Sequence, residues 1–404
     1  MDGLDAALAP SLAGARSAHR YRSRRTVESR TPGTARVRVD GLDAIAFCSN
    51  DYLGLADHPW VCEAFVAAAR RWGVGSGAAH LVSGHCSEHR LLEEALAEFT
   101  GRPRALLFST GYMANLAVIG ALLGRGDRVL EDRLNHASLL DAGLASGARL
   151  SRYAHADVRA LENRLRANIQ GAGKNRLRAE FRTLVASDGV FSMDGDVAPL
   201  VELAAACRAH DAWLMIDDAH GFGVLGANGR GALEAAGLSD ADVPILMCTL
   251  GKALGVFGAF VAGSEALIET LVQRGRTYVY TTALPPAVAA AARAALAVQR
   301  EESWRRERVL AHAARFRSAA AELGLELLPS ATPIQPILLG SEAAALAASE
   351  ALLAAGLWVP AIRPPTVPAG RSRLRVTFSA AHSDEDIDRL IGALAVHAAS
   401  GAIA

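Results

Sequence analysis

Residues 213–220 read Trp-Leu-Met-Ile-Asp-Asp-Ala-His, and the fold class can be inferred from them. The four apolar residues at its start predict a buried strand, and the strand leads directly into two carboxylates and a histidine. Open α/β sheets bind their ligands at the carboxyl ends of their strands. The stretch therefore predicts an α/β fold with a ligand site beside Asp217, Asp218 and His220.

A second stretch of the same kind lies at residues 245–255, which read Ile-Leu-Met-Cys-Thr-Leu-Gly-Lys-Ala-Leu-Gly. Another apolar strand is expected here, and it leads into Thr249, Gly251, Lys252 and Gly255. Burial disfavours the charged form of an amine, so Lys252 differs from a solvated surface lysine. Glycines allow the backbone to approach a bulky planar ring closely. The stretch therefore predicts that Lys252 is a functional group next to a flat ligand.

A lysine and a carboxylate at two strand ends are the groups that pyridoxal 5′-phosphate (PLP) requires. The lysine amine forms a Schiff base with the cofactor aldehyde, and the carboxylate keeps the pyridine nitrogen protonated, so that the ring accepts electrons. Successive residues of a strand point to opposite faces. Only one of Asp217 and Asp218 can therefore meet the ring, and the strand pattern alone leaves both open.

A place for the phosphate follows from residues 108–115, which read Phe-Ser-Thr-Gly-Tyr-Met-Ala-Asn. This pattern predicts a strand, a short glycine turn and the start of a helix, whose free N–H groups and dipole suit a phosphate. Thr249 would add a hydroxyl, and Thr281 or Thr282 would reach the phosphate from a second subunit. His136 follows another predicted strand, where its imidazole would stack on the pyridine.

Apolar runs of strand length alternate with helical patterns between about Phe47 and Leu284. Such alternation predicts a mostly parallel sheet covered by helices on both faces. The strands are expected at Ala105–Ser109, Arg128–Glu131, Thr183–Ser187, Trp213–Asp217, Ile245–Thr249 and Gly258–Ala262, and the helices at Tyr112–Leu123, Ser138–Ala145, Val158–Gln170 and Leu200–His210.

Three domains are predicted from these patterns. Residues 1–46 form an Arg-rich N-terminal arm that includes a short strand pair, residues 47–284 a large PLP-binding α/β domain, and residues 285–404 a smaller C-terminal α+β domain. The last domain is expected to begin with one long helix from Ala287 to about Leu323. It is expected to end in the strand Leu374–Phe378 and the helix Asp384–His397.

The composition of the chain also limits which partners and which location can be expected. The chain has 404 residues, of which 51% are hydrophobic, and its 42 basic and 42 acidic residues give a net charge of +0. No overall basic field exists to attract nucleic acid or an anionic membrane, so neither is an expected partner. No run of about 18 apolar residues predicts a membrane span. Five scattered cysteines and a start without signal-peptide features predict a cytoplasmic protein.

Seven motifs together resemble those of the α-oxoamine synthases, a family of PLP-dependent enzymes of fold type I. The resemblance runs from about residue 18 to residue 395. It implies a mostly parallel seven-stranded sheet in the large domain, and a homodimer with its active site at the subunit interface. The motifs are Ser49–Gly54, Leu81–Gly84, Asn135–Ser138, Asp188–Gly195, Asp217–His220, Thr249–Lys252 and Arg363–Pro368.

The resemblance also implies a role for individual residues. Lys252 corresponds to the lysine that binds the cofactor and moves the proton, Asp217 to the partner of the ring nitrogen, and His136 to the stacking imidazole. Catalytic roles are thereby implied for Lys252, His136, Asp217 and His220. Cofactor-binding roles are implied for Gly111, Tyr112, His136, Ser192, Asp217, His220, Thr249, Lys252 and, from the partner subunit, Thr282.

Substrate-binding roles rest on the same resemblance. Arg375 corresponds to the arginine that binds the amino-acid carboxylate, with help from Asn50, and Arg22 falls where the family binds the far carboxylate of the acyl chain. Two positions depart from the family pattern: Asp188 replaces the usual Glu, and Phe222 replaces the common Thr. Both departures bear on the substrate channel and not on the cofactor chemistry.

The expected reaction is a decarboxylative condensation of L-alanine with a pimeloyl thioester in biotin biosynthesis. Pimeloyl-CoA and pimeloyl-acyl carrier protein both remain open as the acyl donor. The alternatives are another α-oxoamine synthase, of the 5-aminolevulinate synthase, 2-amino-3-ketobutyrate CoA ligase or serine palmitoyltransferase type, and a catalytically silent subunit of the same fold. The intact Lys252 argues against the silent subunit.

Two further motifs are interpreted as structural. Residues 221–226 match G-x-G-x-x-G, but the sequence that follows does not predict the helix that a dinucleotide site needs. His80, His85, Cys86 and His89 resemble a zinc cluster in composition. They lack the H-E-x-x-H order, and Cys86 is expected to point away from the histidines. No metal site is therefore predicted.

Overall fold

The computed structural model of the chain describes residues 3–167 and 181–399. A π-helix spans His80–Gly84. The strands are β1 (Val27–Arg30), β2 (Arg36–Val39), β3 (Leu42–Ala46), β4 (Arg104–Phe108), β5 (Arg128–Asp132), β6 (Arg149–Tyr153), β7 (Thr183–Asp188), β8 (Trp213–Asp217), β9 (Ile245–Thr249), β10 (Ala259–Gly263), β11 (Ile334–Gly340), β12 (Leu357–Trp358), β13 (Ala361–Ile362) and β14 (Ser372–Thr377). The α-helices are α1 (Gly3–Ser17), α2 (Pro59–Trp72), α3 (Ser87–Thr100), α4 (Gly111–Leu122), α5 (Ala137–Ala145), α6 (Val158–Ala167), α7 (Leu200–Ala209), α8 (Ala232–Ala235), α9 (Glu265–Arg274), α10 (Arg276–Val279), α11 (Pro286–Glu301), α12 (Trp304–Glu322), α13 (Glu342–Ala354) and α14 (Asp384–Ala399).

The chain divides into two compact units. Unit 1 comprises Met1–Gly54, Met193–Asp196 and Glu307–Ala404, and unit 2 comprises Leu55–Ser192 and Val197–Arg306. The three domain bounds drawn from the sequence stay a prediction. Within residues 3–167 and 181–399, no helix has the length and apolar character that crossing a membrane requires.

Unit 2 is built on a seven-stranded sheet with the strand order β4-β10-β9-β8-β7-β5-β6. Strand β10 runs antiparallel to both of its neighbours, whereas β9, β8, β7, β5 and β6 pair in parallel. The central strands are buried along most of their length, as expected for a sheet covered on both faces. The predicted mostly parallel seven-stranded sheet is confirmed.

The core of unit 2 lies between this sheet and helices that include α4 and α9. Val118, Ile119, Met215 and Val261 are each fully buried there. Helix α4 is apolar on nearly all sides, which is typical of a helix enclosed by its surroundings. Asn115 is the polar exception among the buried residues of α4.

Most predicted elements of unit 2 agree with the structure to within one or two residues, and β8 and β9 agree at both ends. Strand β6 was not predicted, because it is only partly buried and lacks an apolar alternation. Helix α6 begins at Val158 as predicted, and residues 168–170 of that prediction lie outside the described residues.

The prediction of one long helix from Ala287 to about Leu323 is wrong. Helix α11 ends at Glu301 and α12 begins at Trp304. Glu302 leaves the helical region, with ψ at 61°, although its N–H still bonds to the Val298 carbonyl. The Glu302 carboxylate accepts a hydrogen bond from Arg305 Nε at 2.7 Å. This contact links the start of α12 to the break.

Unit 1 contains two smaller sheets, of order β1-β2-β3-β12 and β11-β14-β13. The N-terminal arm forms α1, in which none of the described residues is buried, and then enters β1. Phe47 and Phe378 lie in the core of this unit, and the His382 ring stacks on Phe47 with centroids 4.4 Å apart. The predicted C-terminal strand and helix correspond to β14 and α14.

Candidate active site

A cavity of about 160 Å³ lies in unit 2 at the carboxyl edge of the seven-stranded sheet. Strands β4, β5, β7, β8 and β9 all end at this edge, so the segments that follow them meet there. Eight of the nine residues predicted to bind the cofactor line the cavity, Thr282 being the ninth. The lining residues are Gly111, Tyr112, His136, Ser138, Asp188, Ser192, Asp217, Ala219, His220, Met247, Thr249 and Lys252.

Lys252 is positioned by a tight turn that follows β9. Its carbonyl accepts a hydrogen bond from the Gly255 N–H at 2.8 Å, and Gly255 has a φ of +68°, in the left-handed region. A Cβ at Gly255 would lie 2.4 Å from the backbone nitrogen of Ala56, so only glycine fits there. Within the cavity, Lys252 Nζ lies 2.8 Å from His220 Nε2.

Asp217 is the last residue of β8, and its carboxylate is held by two donors. Asn115 Nδ2 donates to Oδ2 at 2.8 Å, and the Ala219 N–H donates to Oδ1 at 3.1 Å. Donors of this kind stabilise the ionised carboxylate. Asp217 lines the cavity, whereas Asp218 is fully buried and is not a lining residue. The alternation of the strand therefore turns Asp217 to the cavity.

His136 caps the N-terminus of α5 and is held in place by its neighbours. Its backbone N–H donates to Asp188 Oδ2 at 2.8 Å, and its Nδ1 lies 2.7 Å from Ser138 Oγ. Ser138 Oγ in turn accepts from Asn115 Nδ2 at 2.8 Å. Burial lowers the pKa of His136, an effect that Asp217 opposes. The imidazole is therefore neutral at neutral pH, which suits a ring that stacks on another ring.

Asp188 is a second carboxyl group in the cavity, at the end of β7. In the sheet it pairs with Asp217 on the neighbouring strand. Burial first, and the Asp217 charge second, raise its pKa well above the ordinary value. The surroundings of Asp188 therefore favour the protonated form of its carboxyl group. In the sequence Asp188 stood out only as a departure from the family pattern.

The N-terminus of α4 forms another wall of the cavity. Thr110 caps this helix, since its Oγ1 accepts a hydrogen bond from the Met113 N–H at 3.1 Å. Gly111 and Tyr112, the first two residues of the helix, line the cavity. Thr249 Oγ1 bonds to the Gly258 carbonyl at 3.0 Å. A helix N-terminus beside a hydroxyl fits the phosphate of PLP.

Asn115, Ser138 and Thr110 belong to the site although the sequence did not identify them as site residues. Asn115 Nδ2 connects Asp217 to Ser138, so one amide holds two parts of the cavity wall. An asparagine in the middle of an otherwise apolar helix was the signal that could have revealed it, because buried polar groups need partners.

Phe222 lies in the core of unit 2, and its effect on the substrate channel stays a prediction. The ring is 1% exposed and packs in an aromatic cluster. Its centroid lies 5.8 Å from that of Phe99 and 5.2 Å from that of Phe260. Phe222 does not line the cavity. The departure from the common Thr therefore changes the core of unit 2.

The three residues predicted to bind substrate fall in unit 1. Arg375 lies on β14, where its guanidinium bonds to Asn50 Oδ1 at 3.4 Å and to Thr377 Oγ1 at 3.1 Å. Arg22 is exposed and donates to Thr366 Oγ1 at 3.0 Å. Arg375 and Asn50 thus lie together within this unit.

His80, His85 and His89 offer ring nitrogens within 4.8 Å of one another. However, both nitrogens of His89 are engaged: Nδ1 accepts from the Cys86 N–H at 3.0 Å, and Nε2 bonds to the Leu284 carbonyl at 2.5 Å. The expectation that Cys86 points away is wrong, because residue 86 caps α3 and its Sγ lies 3.3 Å from His89 Nδ1. These bonds give His89 a structural role.

The fold and the cavity define a class of protein, the PLP-dependent transferases of fold type I. A family model described as aminotransferase class I and II matches residues 43–394. A serine palmitoyltransferase structure from Sphingomonas wittichii is 32% identical with a TM-score of 0.91, and covers 100% of this chain and 99% of that one. A high-resolution structure of SPT with PLP is 31% identical with a TM-score of 0.88, and covers 99% and 98%.

Similarity to curated relatives shows which group within this class the chain belongs to. An 8-amino-7-oxononanoate synthase of Methylococcus capsulatus is 62% identical over 387 residues, which is 96% of this chain and 97% of the relative. Another 8-amino-7-oxononanoate synthase, from Saccharophagus degradans, is 58% identical over 394 residues, 97% of this chain and 96% of the relative. The chain therefore belongs to the aminotransferase class I and II family and, within it, to the 8-amino-7-oxononanoate synthases.

Proposed function

We propose that this chain condenses L-alanine with a pimeloyl thioester to give 8-amino-7-oxononanoate, CO₂ and a free thiol, the step of biotin biosynthesis that its relatives are named for. One observation carries the proposal: Lys252 Nζ, the Asp217 carboxylate and the His136 ring line one cavity at the sheet edge. The family membership selects this reaction from those that such a cavity supports.

The residues of the cavity match the parts of PLP one by one. Lys252 Nζ would bind the aldehyde, Asp217 the ring nitrogen and the His136 imidazole the ring face, while the N-terminus of α4 and Thr249 would hold the phosphate. His220 and Ser192 would contact the ring hydroxyl. When bound, PLP supplies an electron sink for the negative charge that develops at the amino-acid Cα.

The protein supplies proton transfer and orientation. Once alanine has displaced it, the free amine of Lys252 would take the proton from Cα and later return one, and His220 Nε2, which lies 2.8 Å from Nζ, would hold the amine in place. The Asp217 carboxylate, with hydrogen-bond donors on both oxygens, would bind the ring nitrogen. Arg375 and Asn50 would bind the carboxylate of alanine, which orients the Cα–H bond, and Arg22 would bind the far carboxylate of the pimeloyl chain.

The active form is proposed to be a homodimer with its sites at the subunit interface. Apolar side chains of unit 2 are strongly exposed in the single chain: Val74 by 92%, Val82 by 80% and Tyr280 by 74%. Apolar side chains that are exposed next to one another are typical of protein interfaces. Thr282 is exposed in the same part of the chain and bridges to Ala79. The partner subunit's Thr282 would complete the phosphate site.

The cytoplasmic location stays a proposal, supported by the cysteines. All five, Cys48, Cys62, Cys86, Cys207 and Cys248, are free thiols. Free thiols persist in a reducing compartment. Fractionation of cells that produce the tagged chain would test this, and recovery with periplasmic marker proteins would contradict it.

Mass analysis of the product tests the proposed reaction. Purified protein with PLP receives pimeloyl-CoA and, in separate reactions, L-alanine, glycine or L-serine. We expect 8-amino-7-oxononanoate from alanine, and little product from the other two. Product from glycine or serine at the alanine rate would instead indicate another α-oxoamine synthase. No product from either pimeloyl-CoA or pimeloyl-acyl carrier protein would favour a silent subunit.

A further inference from the structure

Asp218 follows the cavity residue Asp217 but lies outside the cavity, and it is fully buried. Its backbone N–H donates to the Met247 carbonyl at 2.8 Å, and its carbonyl accepts from the Phe222 N–H at 2.9 Å. Its Oδ2 accepts a third bond, from the Ala232 N–H at 2.7 Å. One residue therefore connects β9, the turn after β8 and the start of α8.

Three glycines pack directly against the Asp218 carboxyl. A Cβ at Gly231 would lie 1.9 Å from Oδ2, a Cβ at Gly221 2.2 Å from Oδ1, and a Cβ at Gly189 2.8 Å from Oδ1. Real Cβ atoms do not approach oxygen so closely, so a side chain at any of these positions would displace the Asp218 carboxyl or the segment that carries the side chain. Three segments of chain therefore reach this carboxyl at a distance that other residues would not permit.

Two of these glycines adjoin residues of the cavity. Gly221 follows His220, whose Nε2 lies 2.8 Å from Lys252 Nζ, and Gly189 follows Asp188. A displacement of Gly221 would carry the His220 imidazole with it, because the two residues share a peptide bond. The position of that imidazole therefore depends on the packing of Gly221 against Asp218.

We infer that Asp218 is a positioning residue of the reaction: its carboxyl holds the turn at residues 218–222 and thereby places the His220 imidazole on Lys252 Nζ. This inference rests on the proposed function, since it concerns the amine that would bind PLP. Asp218 acts through the shape of its carboxyl and through its acceptor for the Ala232 N–H, and its own charge is not needed.

The surroundings of Asp218 support a neutral carboxyl. Burial raises its pKa to about 8, the Ala232 N–H opposes this, and the Asp217 charge adds to it. Lys252 lowers the pKa by a smaller amount.

Four variants test the inference. Asp218→Ala removes the acceptor and the packing, Asp218→Asn keeps the shape and an acceptor without charge, and Gly221→Ala disturbs the same contact from the other side. Leu161→Ala is the matched control, because Leu161 is fully buried in α6 and does not line the cavity. Each is measured for kcat, KM for alanine, thermal midpoint, and the pH midpoint of the visible absorption band of the protein with PLP.

We expect Asp218→Ala and Gly221→Ala to lower kcat by about 10- to 100-fold, the order of loss for a small misplacement of a reacting group. Both should also shift the pH midpoint of the band, while Asp218→Asn keeps most of the wild-type values. Leu161→Ala should lower the thermal midpoint alone. If one variant fails to fold, the other two site variants still test the contact.

Two results would overturn the inference. One is a wild-type kcat and pH midpoint in Asp218→Ala or Gly221→Ala. The other is an Asp218→Asn variant as impaired as Asp218→Ala, which would mean that the charge acts directly. Failure of the proposed function looks different, because the wild-type protein itself would then form no product from alanine and pimeloyl thioester, whereas the pH midpoint of the visible band would still test the contact of Asp218.

Discussion

At the scale of single residues, Asn115 joins two parts of the cavity that lie far apart in sequence. Its Nδ2 donates to Asp217 Oδ2 and to Ser138 Oγ, each at 2.8 Å. Ser138 in turn contacts the His136 ring. The carboxylate expected at the ring nitrogen and the imidazole expected on the ring face therefore share one donor group.

Replacement of Asn115 by Leu tests this connection. Asn115→Leu leaves Asp217 Oδ2 without its side-chain donor, and a lost hydrogen bond to a buried charged group costs about 1–3 kcal/mol. We expect weaker PLP binding and a lower kcat, measured by titration of the apoprotein with PLP. Val118→Ala, a fully buried residue of the same helix, is the control and should lower stability only. Unchanged PLP affinity in Asn115→Leu would contradict this interpretation.

His382 provides a residue-scale prediction of pH dependence in unit 1. Burial lowers the pKa of the His382 imidazole from 6.5 to about 4. Between these two pH values the imidazole is therefore protonated in the unfolded chain and neutral in the folded chain. Its contribution to stability is complete above pH 6.5 and is lost as the pH falls towards 4. Relative to His382→Phe, which keeps the stack on Phe47, wild type should lose up to about 2 kcal/mol between pH 7 and pH 5. Urea unfolding measures this, and parallel pH curves would contradict it.

At the scale of secondary-structure elements, the N-terminus of α4 is the part of this helix that lines the cavity. Thr110 caps the helix at the point where Gly111 and Tyr112 enter the cavity. Loss of an N-cap costs about 1 kcal/mol. Because Gly111 and Tyr112, the residues that follow this cap, would bind the phosphate, Thr110→Ala should weaken both the helix and the binding of PLP.

A matched control separates the two effects. Ser264 caps α9 in the same way, accepting from the Leu267 N–H at 3.2 Å, and is not a cavity residue. We expect Thr110→Ala and Ser264→Ala to lower the free energy of unfolding by similar amounts in urea, and only Thr110→Ala to raise the dissociation constant for PLP. Equal PLP affinity in the two variants would remove α4 from the phosphate site.

The same scale explains what could be predicted from the sequence. Strands β8 and β9 were predicted to the residue because each is a short apolar run that ends in polar groups. The positions of Asp217 and Lys252 at the sheet edge followed from those ends. Strand β6, the break at Glu302 and the bond from Asn115 to Asp217 depend on tertiary contacts, which local patterns do not contain.

At the scale of the whole molecule, the proposed homodimer would have each active site shared by the two subunits. In Lys252→Ala the amine is lost, and in Thr282→Glu a new carboxylate would repel the phosphate from the partner side. Each variant alone should be nearly inactive. Co-refolding of the two should restore activity, since each mixed dimer has one intact site, roughly a quarter of all sites in a random mixture.

Three results would contradict the proposed sharing of the active site between subunits. Full activity in Thr282→Glu alone would show that residue 282 does not approach the phosphate. A second result is failure of the two variants to restore activity in a mixture that mass spectrometry shows to contain mixed dimers. Thr282 would then belong to the site of its own subunit or to no active site. A monomer with full activity would contradict the shared site altogether.

The residues predicted to bind substrate and the residues that line the cavity lie in different units of the molecule. Arg375, Asn50 and Arg22 belong to unit 1, and the cavity belongs to unit 2. The sequence suggested them only through resemblance to a family, because an arginine on a strand carries no local mark of its ligand. Their roles therefore stay predictions, and so do the roles of Asp217 and Lys252, although the strand ends indicated that these two lie at the cavity.

The covalent attachment of PLP to Lys252 is the central claim, and reduction with borohydride followed by peptide mass mapping tests it most directly. Reduction fixes a lysine-bound cofactor in place, so that the modified peptide can be identified after digestion. We predict a pyridoxyl group on Lys252, and no such group in Lys252→Ala. A label on another lysine, or an unlabelled Lys252 peptide from PLP-saturated protein, would contradict the account.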